Sequence, residues 1–310
     1  MSLRARSWYQ ANTFDHRRFP AELLAAQRSQ TVSVCLPAQN EARTIGPIVR
    51  SLLPLIKQGV IDQLVVVDNS VDGTGEIASA LGAEVHDQAR LMPEIGPVLG
   101  KGDAMWRALS ILTGEIICFL DADSEEFGPH YACGLLGPLL TTSAPHRHKF
   151  VKGFYRRPFR VGDVTLPEGG GRVTELTARP LLNLFYPDLA AIRQPLAGEI
   201  AAERGLLERL PFATGYGVDI ALLLDAYQAV GLEAIAQVDL DVRQNAHQSL
   251  RELGPMAHAV LQVVGKRLER DGRLDGPLPT GFLELGDALP QTVLSQQLER
   301  PPLAELRAAA

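Results

Sequence analysis

The sequence predicts an α/β fold built on a mainly parallel sheet. Two apolar runs, L-V-V-V-D (64–68) and E-I-I-C-F-L-D-A-D (115–123), each end in acid. Continuous apolar runs of this kind are typical of parallel strands covered on both faces. Strand-like and helix-like stretches alternate through residues 31–125, at the roughly 30-residue spacing of βαβ units. The 310 residues, 46% hydrophobic and 21% charged, suit one large globular α/β domain or one domain with a substantial appendage.

Taken in order, residues 1–30 are polar and mixed and read as an N-terminal arm packed on the surface. T-V-S-V-C-L-P (31–37) is a short buried strand stopped by Pro37. Asn40 and Glu41 open a helix whose apolar positions Ile45, Ile48, Val49, Leu52 and Leu53 recur at helical spacing. The strand 64–68 gives way to N-S-V-D-G-T (69–74), good turn chemistry that leads into a helix to Leu81. Ala83–His86 is a further short strand. A loop with Pro93, Gly96, Pro97 and Gly100 precedes a helix from Lys101 to Leu112, and the strand 115–123 follows. Residues 31–125 thus form a nucleotide-binding part, and 126–254 the remainder of the same domain. The latter holds a strand at 149–158, a glycine loop and helix at 167–176, a helix from Val218 and a strand at 233–240. The tail, 255–310, is helical and then rich in Pro and Leu, and suits a dimer contact.

Composition narrows the partners. A net charge of −6 gives little attraction to phosphodiester backbones, so nucleic acid is not an expected partner. No apolar run approaches the ~18 residues that span a bilayer, and M-S-L-R-A-R-S-W is followed by no apolar signal-peptide core. The three cysteines, Cys35, Cys118 and Cys133, are sparse and odd in number, which suits a reducing compartment better than a disulfide framework. These features together predict a soluble cytoplasmic protein.

In an open parallel sheet, ligands collect at the carboxyl ends of the strands. Three such ends carry Pro37-Ala38-Gln39-Asn40-Glu41, Asp68-Asn69-Ser70 and Asp121-Ala122-Asp123. Two carboxylates spaced by one residue after a buried strand can hold a hard cation against a diphosphate, which points to a nucleotide sugar with Mg²⁺ or Mn²⁺. A solvated cap also produces D-x-D; the sheet context favours the metal. Asp68 suits a hydrogen bond from base or ribose, and equally a capping turn. Lys101 at a helix start suits a phosphate. Gly169-Gly170-Gly171-Arg172 lets amides and a guanidinium converge on an anion, and is equally a flexible loop. Lys152, Arg156 and Arg157 read as packing and surface. There is no G-x-x-x-x-G-K-[ST], and no G-x-G-x-x-G in the first turn, which weighs against a P-loop or a nicotinamide enzyme.

Longer motifs carry a resemblance. L-P-A-Q-N-E, V-V-D-N-S-V-D-G-T and F-L-D-A-D occur across many GT-A enzymes. G-K-G-D-A-M-W-R-A-L, F-Y-R-R-P, G-G-G-R-V-T-E-L-T-A-R-P-L-L, Q-P-L-A-G-E, L-P-F-A-T-G-Y-G-V-D-I and L-E-A-I-A-Q-V-D-L add to them. From about residue 31 to 256 the chain resembles the glucosyl-3-phosphoglycerate synthases, retaining GT-A glycosyltransferases. The resemblance implies a GT-A, Rossmann-like sheet, a UDP-glucose donor, a 3-phosphoglycerate acceptor, Mg²⁺ and a homodimer. It also places residues. Pro37, Ala38, Asn40, Glu41, Ser70 and Lys101 fall at nucleotide-binding positions. Asp121, Ala122 and Asp123 match the metal and ribose motif, with Asp123 the direct ligand. Gly171, Arg172 and Thr174 match the acceptor's phosphate and carboxylate site, and Leu196 lies beside the reacting centre. Tyr216 and Asp219 match the acceptor-side loop, where the family usually has glutamate at the Asp219 position.

There is one departure. The family carries V-R-A-H-R-N where this chain has V-R-Q-N-A-H-Q-S (242–249). Without gaps, Asn245 replaces the metal-binding histidine. A balanced insertion and deletion instead keeps His247 in that role, which suits a divalent ion better than a carboxamide does. Mannosyl-3-phosphoglycerate synthase, using GDP-mannose, is the alternative on the same scaffold, and a catalytically impaired sugar-nucleotide-binding protein is the alternative of another class.

Overall fold

The computed structural model describes residues 3–309 apart from 142–147, 162–163, 167–169, 244–248, 277–280, 285–290 and 295–297. In chain order the strands are β1 (Thr13–Asp15), β2 (Val32–Ala38), β3 (Gln63–Asp68), β4 (Glu84–Asp87), β5 (Ile116–Phe119), β6 (Phe150–Arg156), β7 (Phe159–Val161), β8 (Val164–Leu166), β9 (Ile200–Glu203), β10 (Phe212–Ala213), β11 (Ile235–Val242), β12 (Gly281–Glu284), β13 (Gln291–Leu294) and β14 (Glu299–Arg300). Eight of them form one sheet in the order β1-β11-β6-β9-β5-β2-β3-β4. All neighbours pair in parallel except β9, which runs against both β5 and β6. The expected mainly parallel sheet is therefore present, with one reversed strand at its centre.

The sheet is covered on both faces, as the apolar runs require. Alternate residues of each strand enter opposite cores: Cys35, Val65, Ile117 and Phe119 on one side, Val34, Leu36, Val66 and Cys118 on the other. The helix Ile45–Lys57 buries Ile45, Ile48, Val49 and Leu52 completely, the stripe its periodicity predicts.

Several boundaries differ from expectation, each for a local reason. The helix after β2 begins at Ile45 rather than at Asn40 or Glu41. The amides that would start it earlier are taken by side chains of the neighbouring turn: Glu41 N donates to Thr74 Oγ1 (2.8 Å) and Ala42 N to Asp72 Oδ2 (3.1 Å). β5 stops at Phe119, because its antiparallel partner starts at Ile200 directly opposite; the D-A-D element projects beyond the ladder. The segment 1–30 is more than a surface arm. Trp8 is buried, its Nε1 donates to the Ile235 carbonyl (2.9 Å), and β1 adds an edge strand beside β11.

The tail opens with the helix Leu250–Arg270, started by a capping box between Ser249 and Glu252. It then returns as β14, which pairs with β10. Arg300, on β14, donates to Asp103 (2.5 Å) and to the carbonyls of Ile95 and Pro97 (3.0 Å each). The same Asp103 accepts from Arg107 Nε (2.8 Å), whose guanidinium also holds the carbonyls of Leu91, Met92, Gly96 and Pro97. Two arginines thus pin the loop that leads into Lys101.

Candidate active site

The carboxyl ends of β2 and β5, the start of the helix Lys101–Ala108 and the turn before β9 meet around a cavity of about 450 Å³. β9 contributes because it is reversed: its entry turn, Leu196–Glu199, lies on the same sheet edge as the exits of its parallel neighbours. Thirteen of the expected site residues line this cavity. From the donor side come Pro37, Ala38, Glu41, Lys101, Asp121, Ala122 and Asp123; from the other side Gly171, Arg172, Thr174, Leu196, Tyr216 and Asp219.

Three others stand apart. Asn40 N donates to Ser70 Oγ (2.7 Å) and Asn40 Oδ1 accepts from Val71 N (3.1 Å), so this pair ties two loops together behind the cavity rim. Asn40 sits at φ 60°, a left-handed conformation that asparagine tolerates better than most residues. Asp68 does not line the cavity; its Oδ1 is buried without a hydrogen-bond partner, and its carboxyl group packs against Gly75. His247, with Asn245 and Gly169, lies outside the described residues.

The electrostatics centre on Asp121. Lys101 Nζ lies 2.6 Å from its Oδ1 and Arg243 Nη1 3.1 Å from its Oδ2. Burial alone would raise this carboxyl; the two cations outweigh burial and hold it well below the ordinary aspartate range. Lys101 also reaches Asp219 Oδ2 at 3.3 Å. Burial works against its ammonium, but Asp121 and Asp219 prevail and keep it charged. Asp219 itself is raised by burial, with Lys101 opposing. Gly198 explains how these charges sit so close to the backbone: a Cβ there would overlap Lys101 Nζ and both Asp121 carboxylate oxygens.

Two buried cations were not legible as site residues. Lys152, on β6, donates to the carbonyls of Ala197 (2.7 Å) and Asp219 (3.3 Å), so it braces the turn before β9. Arg243 follows β11 and reaches the centre of the site. Its Nη2 lies 2.5 Å from Asp123 Oδ1, and its Nη1 also meets Glu199 and Tyr155 Oη. Burial opposes its charge, but Glu199, Tyr155 and Asp121 hold the guanidinium above its normal value. A bulge makes this reach possible: the β6–β11 register shifts between Asp239 and Val242, with Asp241 at φ 75°. D-L-D-V-R carries no obvious bulge signal; the paired Asp239 and Asp241, the former accepting from the latter's amide (2.9 Å), are the nearest thing to one.

The donor set suits a hard cation. Asp123 is a half-exposed carboxylate beside the cavity. Glu41 is raised first by burial and then by the charge of Asp123, a sign of excess negative potential at this edge. Among the described residues no group of three His, Cys, Asp or Glu is placed to hold a metal. Such a sparse protein set is usual for Mg²⁺, which takes one or two carboxylates and fills its sphere with phosphate oxygens and water.

Comparison with known proteins agrees with this geometry. A family model described as Glycosyl transferase family 2 matches residues 33–144. The chain is 46% identical over 290 residues to the glucosyl-3-phosphoglycerate synthase of Mycolicibacterium smegmatis, covering 93% of each. Among solved structures, mannosyl-3-phosphoglycerate synthase from Rubrobacter xylanophilus is similar at TM-score 0.89 and 43% identity, over 97% of this chain and 98% of that one. Glucosyl-3-phosphoglycerate synthase from Mycobacterium tuberculosis, in complex with Mn²⁺, UDP-glucose and phosphoglyceric acid, is similar at TM-score 0.83 and 40% identity, over 96% and 99%.

Proposed function

Because the chain belongs to the glucosyl-3-phosphoglycerate synthase family, we propose that it transfers glucose from UDP-glucose to the 2-hydroxyl of D-3-phosphoglycerate with retention, giving glucosyl-3-phosphoglycerate. The observation that carries this reading is the meeting, in one cavity, of the acidic D-A-D edge with Lys101 and of the Gly171–Arg172–Thr174 loop. The first suits a diphosphate leaving group and the second a small phosphorylated acid.

In this reading Pro37, Ala38, Glu41, Asp68 and Ser70 surround or support the nucleotide. Asp123 and His247 hold Mg²⁺ or Mn²⁺, and the bound metal neutralises charge on the diphosphate. Lys101, kept protonated by Asp121 and Asp219, places a second positive charge where UDP departs. Asp219 thus acts by holding the Lys101 ammonium in place. Arg172 and Thr174 grip the acceptor, and the backbone near Leu196 orients it. The acceptor hydroxyl attacks on the face from which UDP leaves, and its proton passes to the departing phosphate oxygen. Positioning and electrostatics do the work, without a covalent carboxylate nucleophile.

A donor–acceptor matrix tests this: UDP-glucose and GDP-mannose against 3-phosphoglycerate and glycerate, with and without Mg²⁺. The UDP-glucose and 3-phosphoglycerate pair with metal should give the highest turnover. Asp123→Ala should abolish both turnover and metal binding by calorimetry; near-wild-type activity in that variant sinks the assignment. The likeness to the Rubrobacter xylanophilus enzyme favours mannose from GDP-mannose as the second reading, and the same matrix separates the two.

The protein acts, in this reading, as a cytoplasmic homodimer. Leu176 and Leu184, 73% and 72% exposed, supply apolar surface for a second copy, and three free, buried cysteines suit a reducing compartment. Sedimentation equilibrium showing only monomer at micromolar concentration, or recovery of the protein outside the soluble cell fraction, would count against these two points.

A further inference from the structure

Charge balance in the cavity singles out one cation, Arg157. Lys101 is matched by Asp121 and Asp219, and Arg243 by Asp121, Asp123 and Glu199. Arg157 is different. It lines the main cavity and also a side pocket of about 30 Å³ beside Leu196 and Ala197. Among the described residues no carboxylate forms an ion pair with it. Its Nη2 donates to Tyr155 Oη (3.0 Å), its guanidinium lies 5.0 Å from the Tyr155 ring centroid, and its Nε is buried with no partner at all. The nearby Glu175 is already held by Arg179 at 2.8 and 3.0 Å.

The glycine loop is built onto this residue. Gly170 N donates to the Arg157 carbonyl (3.2 Å), and a Cβ at Gly170 would fall 2.5 Å from Arg157 Cβ. Arg157 and Arg172, one under this loop and one on it, both line the main cavity. A buried donor with nothing to bind is costly and calls for a partner. A phosphorylated hydroxy acid brings two anionic groups, one at each end of a three-carbon chain, and a single guanidinium cannot clasp both.

We propose that Arg157 binds the acceptor's carboxylate while Arg172 takes its phosphate, so that two arginines fix both ends of the acceptor and present the hydroxyl between them. This rests on the acceptor reading given above. The side pocket decides the assignment of ends: it adjoins Leu196, next to the reacting centre. The carboxylate is the group one carbon from the reacting hydroxyl.

The test compares wild type with Arg157→Gln and Arg157→Lys. Loss of one charge-assisted contact should raise the KM for 3-phosphoglycerate about tenfold to a hundredfold in Arg157→Gln, with the KM for UDP-glucose within twofold. Glycerol 3-phosphate keeps the phosphate and lacks the carboxylate, so its inhibition constant should be unchanged in the variant. Arg157→Lys should restore part of the affinity for 3-phosphoglycerate, and it also answers the question if the glutamine variant fails to fold. An unchanged KM for 3-phosphoglycerate overturns the proposal, and so does an equal loss of affinity for glycerol 3-phosphate. Wild type inactive on 3-phosphoglycerate overturns instead the acceptor reading beneath it.

Discussion

At the scale of single residues, Gly198 carries a constraint that its own chemistry hides. It has an ordinary backbone conformation, yet no side chain fits there, because the Lys101–Asp121 pair lies against its Cα. In Gly198→Ala the methyl group must push the ammonium away from the carboxylate or from Asp219. We expect kcat/KM to fall about 100-fold, roughly 2.7 kcal/mol of transition-state stabilisation, with far-UV circular dichroism unchanged. An alanine variant with full activity would show that the pair moves freely.

Residues of this kind divide by how they can be read. Asp121 and Asp123 announced themselves, because two acids after a buried apolar run have few other reasons to be there. Arg172 was legible through the glycines before it. Lys152 and Arg243 were not. Each sits in or beside a strand, where one charged residue usually faces solvent, and only the pairing partners brought in by β9 and the β11 bulge turn them inward. Their roles are set by contacts 44 to 122 positions away in the chain, and a local pattern contains no trace of those. Asn40 and Ser70 show the converse. The motif marked them as nucleotide-binding positions, but they are hydrogen-bonded to each other and neither lines the cavity.

At the scale of elements, the last strand acts on the site without touching it. β14 delivers Arg300 to Asp103, two residues beyond Lys101, and to the carbonyls of Ile95 and Pro97. On the same strand edge, Leu298 accepts from Thr214 N (3.0 Å), two residues before Tyr216. One short strand thereby joins the loop on the donor side to the loop on the acceptor side. Arg300→Gln leaves Asp103 with Arg107, Gln88 and the Leu99 amide as its partners, and removal of one partner from a buried ion pair costs about 3 kcal/mol. Urea unfolding should show that loss. The KM for UDP-glucose should rise more than kcat falls, since the loop positions Lys101 rather than reacting. Equal effects on both parameters would argue for a general loss of folded protein instead. The tail's composition, Pro and Leu without periodicity, gave no sign of such a strand; two-residue pairing leaves no periodic signature.

At the scale of the whole molecule, buried charge at the site couples stability to pH. Burial pushes the Lys152 ammonium down to about 8, against about 10.4 for an unfolded chain. Between these values the unfolded state holds more protons than the native state, so this group makes stability rise with pH across that window. Below it, both states are protonated and the slope vanishes. The three buried cysteines act in the opposite sense at higher pH, since burial raises each thiol. The measurement is therefore a difference: wild type minus Lys152→Met, by urea titration from pH 7.5 to 9. The difference should grow in favour of wild type as pH rises. A flat difference would mean that the ammonium keeps its charge through its contacts with Ala197 and Asp219.

The reversal of β9 also decides what the acceptor side of the site is made from. β2, β3 and β4 pair with neighbours joined by short crossovers, whereas β5 returns to β2 past both of the others. β9 fits only between two strands that precede it, one on each side, and it closes the sheet as a wedge closes an arch. The turn that walls the reacting centre is the entry to that wedge. That turn sets Leu196 across the cavity from the acidic edge, so one reversed strand supplies the wall that its parallel neighbours cannot.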